Sequence, residues 1–157
     1  MVSSTNSCAL VHPLTEPGSV ELAVTNVAER SFFAFAELVD PSAVAELTAH
    51  AFPALTSVVC FSGPVKGEMR VTVPDALTRE LAQAFSGDPE IALGVDELRD
   101  MAGEFTNMVT GAWLTATDVS STFDLTAPAV EAVTAAPPGA MVMQINGQPI
   151  WLSWKVE

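Results

Sequence analysis

Glu104 and Asn107 are a carboxylate and an amide spaced i, i+3 in a stretch with helical periodicity. Residues three apart on a helix project from one face, so both side chains can meet the same target. A carboxylate accepts hydrogen bonds and attracts cations, whereas an amide donates and accepts hydrogen bonds without titrating. Asp100, one turn earlier, extends this polar stripe. By itself, such a stripe is also what the solvated side of any amphipathic helix presents.

The helix that must position these residues is predicted from about Val95 to Thr115. The mean direction of its apolar side chains lies about 130° from that of the polar stripe. Gly103 and Gly111 flank the pair, and each costs on the order of 1 kcal/mol relative to alanine inside a helix. That cost is easier to understand if something approaches this surface closely. The predicted apolar face consists of Leu98, Met101, Ala102, Phe105, Met108, Val109 and Ala112.

The string from Gly103 to Gly111 resembles the signature helix of the CheX-type chemotaxis phosphatases, which are relatives of the CheC and FliY proteins. The family pattern is an acidic residue or serine, then a glutamate, an asparagine and a more distant proline. Asp100, Glu104, Asn107 and Pro128 stand at those positions. Residues 61–74 resemble the family's first hairpin, residues 123–128 resemble its approach to the proline, and the likeness extends over about 19–157.

The resemblance implies a phosphatase that hydrolyses the aspartyl phosphate of a CheY-like response regulator. Asn107 would position the attacking water, and Glu104 would engage a lysine of the regulator's active site. Positioning dominates such reactions, because phosphoryl transfer leaves the protein little covalent work. Pro128 would shape a loop near the helix, and Asp100 is either a supporting contact or merely solvated. We expect no cofactor of the protein's own, with Mg²⁺ bound by the regulator.

The same helix could instead serve a non-catalytic adaptor that binds a phosphorylated response regulator, and turnover separates the two hypotheses. A third possibility is a structural protomer that assembles through exposed sheet edges. CheC-type relatives carry two sites, but the first predicted helix here has Glu21 and Asn26, which do not match the pattern. The resemblance therefore implies a single site, and, because CheX proteins dimerise through their sheets, a homodimer.

We predict an α+β, CheC-like fold, in which an antiparallel or mixed sheet of hairpins is covered by two or three helices. Residues 1–18 are predicted to form an irregular N-terminal segment, and 19–157 a single domain. Hairpins are predicted at 57–73 and 141–156, the second turning at Asn146-Gly147. Asp75 is expected to cap a helix that ends at Gly87, and residues 43–51 fit either a short helix or a strand.

A first helix is predicted from about Ser19 to Val39. Asp40-Pro41 would end it, because the residue before a proline disfavours the helical conformation. Its predicted core face consists of Val20, Val24, Val27, Phe35 and Leu38.

The composition narrows the possible partners. The chain has 19 acidic and 6 basic side chains, a net charge of −13, so nucleic acid and anionic membranes would repel it. No apolar run approaches the roughly 18 residues of a membrane span, and the N-terminus does not resemble a signal peptide. Cys8 and Cys60 match no metal-binding spacing, and Cys60 is expected to be a buried thiol. We expect a cytoplasmic protein.

Overall fold

The computed structural model describes residues 16–118 and 120–157. Within them, a single 3₁₀ turn, Pro41–Ala43, precedes the second of the α-helices. The helices are α1 (Pro17–Phe32), α2 (Val44–Ala49), α3 (Asp75–Ser86) and α4 (Val95–Thr117). The strands are β1 (Ala36–Leu38), β2 (Ala54–Ser62), β3 (Lys66–Pro74), β4 (Asp124–Leu125), β5 (Ala129–Val133), β6 (Met141–Ile145) and β7 (Gln148–Val156).

The strands form one sheet in the order β1-β6-β7-β3-β2-β4, with β5 also paired to β2. Every pairing between the described strands is antiparallel. β4 and β5 share the same edge of β2, at residues 61–62 and 54–58 respectively. The predicted α+β fold is confirmed, with four helices in the described residues where two or three were expected.

The hydrophobic core lies between the sheet and helices α1, α3 and α4. Trp113, Phe105 and Met69 are its largest fully buried side chains. Met69, Val71 and Val73 alternate along β3 on the side of the sheet that faces the core, and all three are at most 1% exposed. α4 lies across α1, α3 and β2, so its orientation is set by packing on several sides.

The predicted helix over 19–39 is wrong beyond residue 32. α1 ends at Phe32 because Phe33 takes up the left-handed conformation (φ 53°), and the Ala34 N–H donates to the Ala28 carbonyl at 2.9 Å. The chain then enters β1, which pairs with β6. Val20, Val24 and Val27 are buried as predicted, but Phe35 and Leu38 are 69% and 49% exposed.

Asn146 gives the physical reason for this difference. Its side-chain Oδ1 accepts a hydrogen bond from the Phe35 N–H at 3.1 Å, and its own N–H donates to the Phe35 carbonyl at 3.0 Å. Both bonds connect positions far apart in sequence, so no local pattern could reveal them. The turn itself is as predicted, since Asn146 and Gly147 both have positive φ, 50° and 80°.

Two smaller predictions are also corrected. Asp75 is the first residue of α3, whose N-cap is Pro74, whereas Gly87 ends the helix as predicted (φ 73°). Cys60 is exposed rather than buried. It lies between the buried Val59 and Phe61, so strand alternation directs its side chain away from the helices. Residues 1–15, including Cys8, lie outside the described part of the chain, and the boundary at residue 18 stays a prediction.

Candidate active site

Helix α4 carries the candidate residues, and hydrogen bonds between Gly94 and its first turn cap its N-terminus. The Gly94 N–H donates to the Glu97 carboxylate at 3.0 Å, and the Leu98 N–H donates to the Gly94 carbonyl at 3.1 Å. The helix then runs for 23 residues. Of the predicted apolar face, Leu98, Met101, Ala102, Phe105 and Val109 are buried, and Met108 and Ala112 are half-buried.

The buried face of α4 is wider than the sequence indicated, because Thr106 and Thr110 are fully buried. Their hydroxyl groups donate to the carbonyls one turn earlier, those of Ala102 (3.0 Å) and Thr106 (2.6 Å). A threonine satisfied in this way packs much like an apolar residue. Between residues 100 and 107, the polar side chains that reach solvent are therefore those of the stripe, Asp100, Glu104 and Asn107.

Asp100 and Glu104 are exposed, and Asn107 is half-buried. Within the described part of the chain, these three side chains form no hydrogen bond or ion pair. The helix backbone alone places them, and their polar atoms remain available to another molecule. The structure thus brings together the glutamate and the asparagine that the sequence singled out, on one accessible face.

Pro128 lies in the segment 126–128 between β4 and β5, directly over α4. A Cβ atom added to Gly103 would lie 3.0 Å from the Pro128 Cβ and 3.3 Å from its Cγ. Pro128, Asp100 and Glu104 line one open cavity of about 500 Å³, together with Arg99, Gly103 and Val130. The proline is thus beside the acidic residues although it is distant from them in sequence.

The two glycines of α4 have different surroundings. Gly103 is buried and lies against Pro128, so the close approach expected at this position comes from the protein's own chain. A Cβ atom at Gly111 would meet nothing within 4 Å. Packing within the described residues therefore gives no reason for a glycine at 111, which lies one helical turn beyond Asn107.

Arg99 is a residue of the site that the sequence analysis missed. Its Nη1 donates to the Val130 carbonyl at 3.0 Å, which joins α4 to β5 next to Pro128. A sequence signal existed, since the chain has only 6 basic side chains and one lies beside the polar stripe. The arginine positions the proline segment against the helix.

The arrangement suits recognition of a group presented by another macromolecule. The carboxylates of Asp100 and Glu104 can accept hydrogen bonds from a cationic donor, and the amide of Asn107 can either donate a hydrogen bond or accept one. The site lies on the outer face of a helix, so a target must be brought to it. Among the described residues, no three His, Cys, Asp or Glu side chains are grouped so as to hold a metal ion, and no helix is long and apolar enough to cross a membrane.

Several solved structures with the same fold are those of chemotaxis proteins. CheX from Vibrio vulnificus is 20% identical, with a TM-score of 0.66 over 90% of this chain and 95% of that one. CheX from Desulfovibrio desulfuricans is 18% identical, with a TM-score of 0.63 over 89% and 97%. A CheX–CheY–BeF3–Mg²⁺ complex from Borrelia burgdorferi is 14% identical, with a TM-score of 0.57 over 89% and 96%.

The family model for the chemotaxis phosphatase CheX matches residues 55–137, more than half of the chain. This match includes β2 from its second residue onward, β3, α4 and the proline segment. Among curated protein sequences, none matches the chain significantly. The chain belongs to the CheX family of chemotaxis phosphatases.

Proposed function

We propose that the protein hydrolyses the aspartyl phosphate of a CheY-like response regulator, with Asn107 positioning the attacking water. The observation that carries the proposal is the placement of Glu104 and Asn107 on one open face of α4, with no partner among the described residues. Membership of the CheX family supports the reaction class. The fold shared with a CheX that was solved in complex with CheY, BeF3 and Mg²⁺ supports the partner.

In the proposed reaction, water attacks the phosphorus atom in line with the bond to the aspartyl oxygen. That bond breaks, releasing inorganic phosphate and the free carboxylate. The Asn107 amide holds the water by accepting a hydrogen bond from it through Oδ1 and donating one to its oxygen through Nδ2, without titrating itself. Mg²⁺ bound by the regulator would neutralise charge on the phosphoryl oxygens.

Glu104 is proposed to dock the regulator by pairing with its active-site lysine. The carboxylate is exposed and lies one helical turn before Asn107, so docking through it would bring the phosphoryl group close to the amide. Pro128, packed on Gly103, supports the helix face beneath this contact. Asp100 is proposed as a supporting polar contact.

The test is the decay of a phosphorylated response regulator in the presence of substoichiometric protein. Asn107→Ala is expected to slow decay by roughly a hundredfold, the cost of losing one positioned hydrogen-bonding group. Asn26→Ala, which changes another half-buried asparagine on α1, is the matched control and should act as wild type. Glu104→Ala should mainly raise KM, so a high protein concentration should restore part of the rate.

Equal decay with wild type and Asn107→Ala would refute the catalytic role. An adaptor would instead bind a BeF3-activated regulator at stoichiometric ratio and leave its dephosphorylation rate unchanged. This outcome would favour the adaptor hypothesis over the enzyme, and the adaptor would bind through the same face of α4.

We also propose a homodimer in the cytoplasm. β1 is an edge strand of only three residues, and three large apolar side chains are exposed in or beside it. Phe33, Phe35 and Leu38 are 86%, 69% and 49% exposed, as expected of a surface that another chain covers. Light scattering should give twice the monomer mass, and Phe35→Ser should lower it. A wild-type monomer at micromolar concentration would exclude the dimer.

A further inference from the structure

A groove of about 450 Å³ lies between the end of α3 and the first half of α4. Its floor is apolar, whereas one side is acidic. Ala82, Phe85, Ile91, Leu93 and Met101 form the floor, and Glu97, Asp100 and Glu104 form the acidic side.

The groove exposes apolar surface that is held in place. Phe85 is 54% exposed and Ile91 is 36% exposed. The Phe85 ring packs on Phe32, with 5.7 Å between the ring centroids, so its position is fixed by the core. Apolar surface of this kind beside polar groups is typical of a contact site for another molecule.

The groove adjoins the candidate active site, because Asp100 and Glu104 line both the groove and the cavity next to Pro128. These two carboxylates separate the two depressions. A protein whose lysine meets Glu104 therefore also lies within reach of the groove. A role for the groove therefore rests on the proposed docking of a response regulator at Glu104.

We infer that the groove receives an apolar side chain of the same response regulator, carried on a segment with neighbouring basic residues. The apolar floor fits the side chain, and Asp100 and Glu104, which have no ion pair among the described residues, fit the basic neighbours. Burying a leucine-sized side chain corresponds to roughly ten- to hundredfold in affinity. The groove thereby selects among regulators that share the same phosphorylated active site.

The test compares steady-state dephosphorylation of regulators by variants of the groove. Ile91→Ser and Phe85→Ser should each raise KM by roughly fivefold or more and leave kcat unchanged at saturation. Leu22→Ser is the matched control, because Leu22 is 55% exposed on α1 and does not line the groove. Thermal unfolding of each variant separates loss of the contact from loss of the fold.

A second variant keeps the proposal testable if the serine variants unfold. Ile91→Trp enlarges a partly exposed apolar side chain of the groove and should raise KM by filling it. Unchanged KM in folded groove variants of an active enzyme would overturn the groove alone. Absence of wild-type turnover and binding with every regulator tested would overturn the proposed function, and the groove with it.

Discussion

Replacing Gly111 with alanine should stabilise the protein and at the same time impair the proposed dephosphorylation reaction. A glycine inside a helix costs about 1 kcal/mol relative to alanine. The new Cβ would meet nothing within 4 Å, so no steric penalty offsets this gain. For a chain of this length, about 1 kcal/mol corresponds to a rise in Tm of roughly 2–4 °C.

Gly103→Ala is the matched comparison on the same helix. It has the same gain in helix propensity, but its Cβ would lie 3.0 Å from the Pro128 Cβ. Overpacking of this kind costs about 1–3 kcal/mol, which equals or exceeds the gain. Its Tm should therefore be below that of Gly111→Ala and at or below that of the wild type.

The functional expectation follows from the place of Gly111, one turn beyond Asn107. If a regulator docks on this face, a methyl group at 111 must be accommodated between two rigid surfaces at a cost of about 1–3 kcal/mol. Dephosphorylation kinetics should then show kcat/KM reduced by roughly fivefold or more. A lower Tm for Gly111→Ala would refute the structural reasoning, and unchanged kcat/KM would refute close approach of a partner at this position.

Four further substitutions have defined outcomes. Phe105→Ala should cost about 3–5 kcal/mol in urea unfolding, because the ring is fully buried, whereas Glu104→Ala should stay within about 0.5 kcal/mol. Arg99→Leu removes the hydrogen bond from α4 to β5. Kinetics should show a lower kcat/KM, whereas calorimetry should show little change in Tm. Hydrogen bonds from the Ser42 backbone N–H and hydroxyl lower the pKa of Asp40. The stability that this carboxylate contributes is therefore present above its unfolded pKa and is lost as the pH falls through its folded pKa. Ser42→Ala removes the hydroxyl and should raise the pKa of Asp40 in an NMR titration.

Local sequence patterns were sufficient for several elements. The hairpin at Asn146-Gly147 was predicted with the strand bounds that the structure has, because that dipeptide favours positive φ at both turn positions. The long helix was equally clear, since its apolar residues recur at helical spacing. These elements depend on neighbours in sequence, which a single chain displays directly.

Features that depend on contacts between residues distant in sequence could not be predicted from local sequence patterns. The apolar periodicity of α1 continued into Phe35, yet hydrogen bonds to Asn146 draw that segment into a strand. Pro128 entered the candidate site only through a family resemblance, because nothing in the sequence states that it packs on Gly103. The same limit hid the hydrogen bond from Arg99 to Val130 and the groove, which form only when α4 meets β5 and α3.

The continuous helix under the site has a consequence for how this protein and its relatives can change in length. Inserting one residue between Glu104 and Asn107 would rotate one side chain by about 100° relative to the other and shift it by about 1.5 Å. Residues 120–123, which lead into β4, belong to no helix or strand, so a change of length there need not turn Pro128 away from Gly103. Insertions and deletions should therefore be excluded between the glutamate and the asparagine and in the rest of α4, where Trp113 and Leu114 are buried, and accepted in residues 120–123 before β4.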